Sequence, residues 1–206
     1  MAKAGRPLRA TAGAAEVPVS WYQELGRKAI HLTALAIPVG YYFVGEPLGR
    51  LILVILTGAS FLIEVLRLND PRIRSFFYIF FGRLVREHER YNLLGGTYLL
   101  LSSLICVYAF SKPVAVAALA FLIVGDTMAA LVGRAVGRVR IFGKTLEGSL
   151  ACLATCLVIG WIIPGLPWRV MVVGALMATL IELLPIPLDD NLRIPLAAGF
   201  AMTLMA

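Results

Sequence analysis

Charge is what this chain has least of. Asp, Glu, Lys and Arg make up 15% of its 206 residues, against about 25% in ordinary soluble domains. Hydrophobic residues make up 60%, and the mean hydropathy is +0.85. That scarcity argues against a soluble enzyme and for an integral membrane protein. Long polar linkers are missing too: the apolar runs follow one another too closely to leave room for a soluble domain, so residues 21–206 read as one membrane domain. Cysteine is rare. Cys106, Cys152 and Cys156 all lie in apolar runs, and no His or further Cys accompanies Cys152 and Cys156 to complete a zinc site. They read as small packing residues, neither disulfide nor metal site. A cleaved signal peptide is not expected, because the polar stretch before the first apolar run is long and further runs follow. Residues 1–20, rich in Ala, Gly and Pro with Lys3, Arg6 and Arg9, read as a flexible basic tail.

What the chain has is apolar runs, near 29–45, 50–67, 95–111, 113–133, 148–163, 169–186 and 193–206. They predict an all-α polytopic membrane bundle of about seven transmembrane helices, several of them shorter than the roughly 20 residues a perpendicular span needs. SFFYIFFGRLVREHERYN, residues 75–92, is an aromatic run followed by a basic one. It predicts a helix lying in the membrane interface, with a short buried hairpin as the alternative. Lys and Arg stay on the cytoplasmic side. With the N-terminus inside, the external links carry Arg50, Lys112 and Arg169, leaving 16 of the 19 basic residues inside. All acidic residues but Glu46 fall at or toward that same face, which is more polarity than topology alone requires and suggests a site there. A prokaryotic cytoplasmic membrane, with the active site on its cytoplasmic face, is the expected location.

Asp126 opens the candidate site, since a carboxylate within an apolar helix costs roughly 2.5–3.5 kcal/mol on insertion scales. Asp126, Ala130, Gly133 and Gly137 share one helix face. One reading of this stripe is a small-residue packing face. The other is an approach for a ligand, because Arg134, Arg138, Arg140, Lys144, Thr145, Glu147 and Gly148 follow, and cations, a hydroxyl and exposed backbone suit a polyphosphate. GKT at 143–145 is not a P-loop: five residues, not four, separate Gly137 from Gly143, and no strand precedes them. Glu24, Arg27, Lys28 and His31 lie on one face of an earlier helix, where a salt-bridged helix start explains them equally well. Glu64 and Arg67 read as a structural ion pair, while Asn92 and Thr97 read as caps. Glu182, Asp189, Asp190 and Asn191 stand on proline-broken backbone, suited either to Mg²⁺ held together with substrate phosphates or to an Asx turn.

Together these motifs resemble the CTP-dependent lipid kinases, the family of dolichol kinase, phytol kinase and CTP-using diacylglycerol kinase, which is similar in outline to phosphatidate cytidylyltransferases. The resemblance rests on Asp126, Ala129, Gly133 and Gly137 followed by Lys144, Thr145, Glu147 and Gly148. It extends to the Glu24, Arg27, Lys28 and His31 face and to Asp189, Asp190, Asn191 and Pro195, covering most of residues 22–200. The basic spacer from Gly137 to Lys144 is shorter than in dolichol kinases, and Gly143 stands where they often carry a second lysine, as expected of a compact prokaryotic-type member. The resemblance implies transfer of the γ-phosphoryl group of CTP to the hydroxyl of a membrane lipid (a polyprenol, a phytol-type isoprenoid or a diacylglycerol), with Mg²⁺ as cofactor and no nucleic-acid partner. Asp126, Lys144 and Asp190 would be catalytic; Asp126, Asp189 and Asp190 would be the metal ligands. Gly133, Arg134, Gly137, Arg138, Arg140, Lys144, Thr145, Glu147 and Gly148 would bind the nucleotide, Gly133 and Gly137 by letting it approach the backbone. Two alternatives stand beside this. A cytidylyltransferase needs similar ingredients, but its long Gly-His-Gly-Gly signature is missing. A small ion-coupled transporter would lead one to expect an internal repeat, and none is visible.

Overall fold

The computed structural model describes residues 21–82, 85 and 87–206, with side chains throughout these except at 21–24, 87 and 88. The expected tail at 1–20, the Glu24 side chain and part of the 75–92 stretch therefore lie outside the described residues. The chain is mostly helical, as expected. It runs α1 (Trp21–Thr33), α2 (Ala36–Val44), α3 (Glu46–Asn69), α4 (Pro71–Phe81), a 3-10 turn (Glu87–Arg90), α5 (Gly95–Ala109), α6 (Lys112–Ala120), a π-helical segment (Phe121–Gly125), α7 (Asp126–Val136), α8 (Leu146–Ile162), α9 (Trp168–Leu183) and α10 (Asp190–Met205).

Every expected apolar run is helical, but about seven full-length spans are not what the helices provide. Among the described residues two are long and apolar enough to cross a membrane: the 24 residues of α3 and the 25 continuous residues Lys112–Val136. The other runs lose length at their breaks: α1 and α2 are separate helices, and proline-marked links take up residues before α9 and α10.

The two long helices sit differently. On α3, Gly49, Leu53, Thr57, Glu64 and Arg67 form one buried stripe at helical spacing. Its opposite face exposes Leu51, Ile55, Leu62 and Ile63, apolar side chains that water would not favour. The α6–α7 rod is central instead. Val114 to Ile123 are buried, and α5, α8, α9 and α10 pack around them. Small residues on the surrounding helices, including Gly174, whose missing side chain leaves room for Met202 and Phe121, with buried Ala175, Ala178 and Ala198, permit that close approach.

Three local features set the geometry of the site. The π segment widens the rod immediately before Asp126, and such one-turn insertions recur at functional sites. Between α7 and α8 a two-residue ladder pairs β1 (Arg140–Ile141) with β2 (Lys144–Thr145). Its turn is Phe142 and Gly143, with φ of 50° and 84°, the doubly positive pattern of a tight hairpin. The third feature is Arg67, fully buried, which donates to Glu64 Oε2 at 2.5 Å, Asn92 O at 2.7 Å, Glu89 O at 3.1 Å and Tyr78 OH at 3.2 Å. Glu64 uses its other oxygen to accept from Leu94 N at 2.8 Å and Thr97 Oγ1 at 3.0 Å. The pair is structural, as expected, and it fastens residues 89–94 to the end of α3.

Candidate functional site

One cavity of about 1240 Å³ gathers most of the candidate residues. Its wall includes Arg27, Lys28 and His31 from α1, Asp126, Ala130, Gly133, Arg134 and Gly137 from α7, and Arg140, Lys144 and Thr145 from the hairpin. Gly148 and Ser149 from α8, Glu182 from α9, and Asp189, Asp190 and Asn191 around the start of α10 complete its polar lining. Apolar Ile30, Phe77, Phe81, Leu94, Leu99 and Leu100 also line it, interspersed with Ser60, Glu89 and Thr97.

Asp126 is not stranded in its helix. The Lys28 ammonium reaches its Oδ2 at 2.5 Å and its carbonyl oxygen at 3.2 Å, across 98 residues of chain. Both side chains are largely buried, so each charge depends on the other. His31 places Nε2 3.9 Å from the same carboxylate oxygen, too far for a hydrogen bond, and that nitrogen is buried without a partner.

Lys144, on the return strand of the hairpin, reaches Glu182 Oε1 at 2.8 Å and Asp190 Oδ2 at 3.4 Å, and it also donates to the Glu182 carbonyl. Asp190 is shared, because Arg193 donates to its Oδ1 through Nε at 2.7 Å. Asp189 caps α10, accepting from Asn191 N at 2.9 Å. Burial, with the neighbouring Asp190 and Glu89 charges, pushes the Asp189 carboxyl above the usual carboxylate range.

Several candidates serve the frame. The Asn191 amide donates to Gly95 O at 3.1 Å, and its carbonyl accepts from Ser102, tying α10 to α5. Asn92 contributes its carbonyl to Arg67. Arg138 is exposed and does not line the cavity. Glu147 also stands off the wall, accepting from Val139 N at 3.3 Å and so holding the hairpin against α8. Hydrogen bonds from its own and other backbone N–H groups hold the Glu147 carboxyl below the usual range.

For the two glycines, the geometry favours packing over the ligand approach expected of them. A Cβ at Gly133 would lie 2.5 Å from Thr145 Oγ1, and one at Gly137 would run first into the Gly133 carbonyl oxygen and lie 2.6 Å from Thr145 Cγ2. Thr145 occupies the space their missing side chains leave, and its hydroxyl accepts from Gly148 N at 3.2 Å to cap α8.

Among the described residues no three His, Cys, Asp or Glu side chains converge as a metal cage. Asp126 would ligate a metal only by giving up the Lys28 ammonium, as Asp190 would give up Lys144. Asp189 and Asp190, adjacent on the wall, fit the lesser demand of Mg²⁺ arriving on phosphates, which needs one or two carboxylates.

Sequence reasoning missed Ser149, whose hydroxyl lies 3.5 Å from Glu182 Oε2, and Glu89, a buried carboxylate accepting from Gly95 N at 3.0 Å. It also missed Phe77 and Phe81 as cavity wall, although their spacing four apart on an aromatic helix was the available signal.

The fold and site define a helical protein with a large cavity lined by both charged and apolar side chains. Over 191 residues it is 28% identical to an uncharacterized protein of Rickettsia prowazekii (strain Madrid E), a match covering 88% of this chain and 94% of that one. No family model matches the chain, and no solved structure matches it.

Proposed function

We propose that this protein is a multi-pass membrane kinase that transfers the γ-phosphoryl group of CTP to the hydroxyl of a lipid alcohol. The carrying observation is the mixed lining of this cavity: cations and carboxylates together with Phe77, Phe81 and Leu100. A phosphate donor and an apolar acceptor need both kinds of lining within reach of each other, because phosphoryl transfer is mostly positioning and charge neutralisation. The outward apolar faces of α3 and the other helices fit the bilayer, with the shorter helices crossing where it thins and α4 lying in the interface. In this reading the N-terminus and the cavity mouth face the cytoplasm of a prokaryotic cell.

The roles follow from the contacts. Lys144 leaves Glu182 and Asp190 to meet the polyphosphate, joined by Arg134 and Arg140 from the same wall. Asp126, fixed by Lys28, shapes the corner beside His31 in which the lipid hydroxyl attacks the γ-phosphorus in line as CDP leaves. Asp189 and Asp190 would hold Mg²⁺, which supplies charge neutralisation on the phosphates when bound. The hairpin, locked by Glu147, sets where Lys144 stands.

The test uses purified protein in lipid nanodiscs, a panel of lipid alcohols and phosphatidate, and CTP labelled at the α- or the γ-phosphate. Label from the γ position appearing in the alcohol supports the proposal. Label from the α position in phosphatidate makes the protein a cytidylyltransferase, and no transfer of either label refutes both.

A further inference from the structure

We infer that the cavity holds a long-chain alcohol in one direction, with its hydroxyl on the His31 imidazole beside Asp126 and its tail between α1, α4 and α5 against Ile30, Phe77, Phe81 and Leu100. This rests on the kinase reading and deepens it, because it assigns the residues that hold the acceptor.

Three independent observations lead here. The first is the His31 nitrogen. Buried polar atoms are almost always hydrogen-bonded, yet His31 Nε2 is buried in the cavity wall with no partner. Asp126 Oδ2, at 3.9 Å, does not satisfy it, and Lys28 is already committed to Asp126. One hydroxyl is the group this corner lacks, since it can donate to an imidazole nitrogen while sitting beside a carboxylate.

The second is the two-faced character of α4. Phe77 and Phe81 line the cavity, whereas Phe76, Ile79 and Phe80 are 64%, 76% and 65% exposed. Both faces are apolar, so α4 is the thin wall between the cavity and whatever surrounds the helices. A tail passing from a bilayer along Phe77 and Phe81 stays in apolar surroundings throughout. The third is size: about 1240 Å³ exceeds the roughly 300–1,000 Å³ of single-ligand pockets, leaving space for an acceptor beside a nucleotide.

The experiment takes the full-length protein in nanodiscs with a long-chain primary alcohol bearing a diazirine in mid-tail, followed by irradiation and peptide mass spectrometry. Adducts are expected on the Phe77–Phe81 segment, displaced by unlabelled alcohol and not by CTP. His31→Phe removes the acceptor at similar bulk and should lower these adducts about ten-fold, the worth of one hydrogen bond. His31→Gln restores an acceptor oxygen and should recover most of the labelling, which separates lost recognition from lost folding. Adducts displaced by CTP would mean that the aromatic wall stacks a base. Adducts confined to the outer faces of α3 or α9, or labelling indifferent to His31→Phe, would equally overturn the inference. No phosphoryl transfer is involved in this readout, so it stands apart from the γ-label assay: a protein that transfers phosphate but labels elsewhere refutes the subsite alone.

Discussion

The Lys28–Asp126 pair offers the sharpest test of the site's construction. Their side chains are 5% and 17% exposed and meet at 2.5 Å. Removing one partner of a buried pair strands the other charge and costs about 3–5 kcal/mol, whereas replacing both with apolar groups of similar size is often neutral or better. Lys28→Met and Asp126→Leu should therefore each destabilise by about 3–5 kcal/mol, and the double variant should return to within about 1–2 kcal/mol of the parent. At roughly 2–4 °C per kcal/mol for a chain of this length, each single substitution lowers Tm by roughly 6–20 °C. The chain carries its own probe: Cys106, Cys152 and Cys156 are all buried and free, so a thiol-reactive fluorophore reports unfolding in detergent or nanodiscs. All three variants should lose γ-phosphoryl transfer, and the double variant, folded and inactive, would separate chemistry from stability. Single-variant losses below about 1 kcal/mol, or a double variant no more stable than the sum of the singles, would refute the pairing as a buried, mutually dependent one.

Gly133→Ala, which in an exposed helix would gain helix propensity, should instead cost about 1–3 kcal/mol by driving Thr145 Oγ1 off its cap. Gly148→Ala should cost more in the same thermal assay, because its Cβ would meet the Ala129 carbonyl at 2.6 Å, and backbone yields less than a hydroxyl. Arg67→Met should destabilise by about 3–5 kcal/mol by stranding the buried Glu64, with early proteolysis between α4 and α5 as the readout. Asp189 titrates above its ordinary value in the folded chain, so its contribution is most favourable in acid and is lost as pH rises through the folded pKa. Asp189→Asn keeps the cap oxygen and cannot ionise, so its stability relative to the parent should rise from acid to neutral pH, and a flat difference would contradict the shift.

Some of this was legible in the sequence and some was not, for physical reasons. Apolar runs announce helices because burial and backbone satisfaction act locally, so each expected run is helical. How long each helix remains is decided by breaks whose geometry depends on neighbours, and the span count failed there. Most residues of the Asp126-to-Gly148 motif named as candidates line one cavity, Arg138 and Glu147 excepted, yet the partner of Asp126 lies 98 positions away, a pairing that only packing creates. Glu64 and Arg67 were readable as a pair at adjacent turns; the carbonyls that complete Arg67's shell come from irregular backbone and leave no side-chain signature. The π segment FLIVG reads like any apolar stretch, and the hairpin turn places Phe142 at a positive φ that Asn or Gly would ordinarily hold.

The glycine stripe shows why packing and function were a false choice at Asp126. Gly133 leaves its space to Thr145, Gly137 to the Gly133 carbonyl and Thr145, and Gly148 lets the α8 start approach the Ala129 carbonyl, so α7 and α8 nearly touch at this end. That contact fixes the hairpin root, since Thr145 is both the residue filling the gap and the cap of α8. Lys144 is the preceding residue on the same short strand, and its reach to Glu182 and Asp190 depends on where Thr145 is clamped. A bulkier residue at 133 would therefore move a cation on the cavity wall by displacing Thr145. In a kinase of the proposed kind, that displacement would weaken transfer through Lys144, and a smaller residue at 145 should restore part of it.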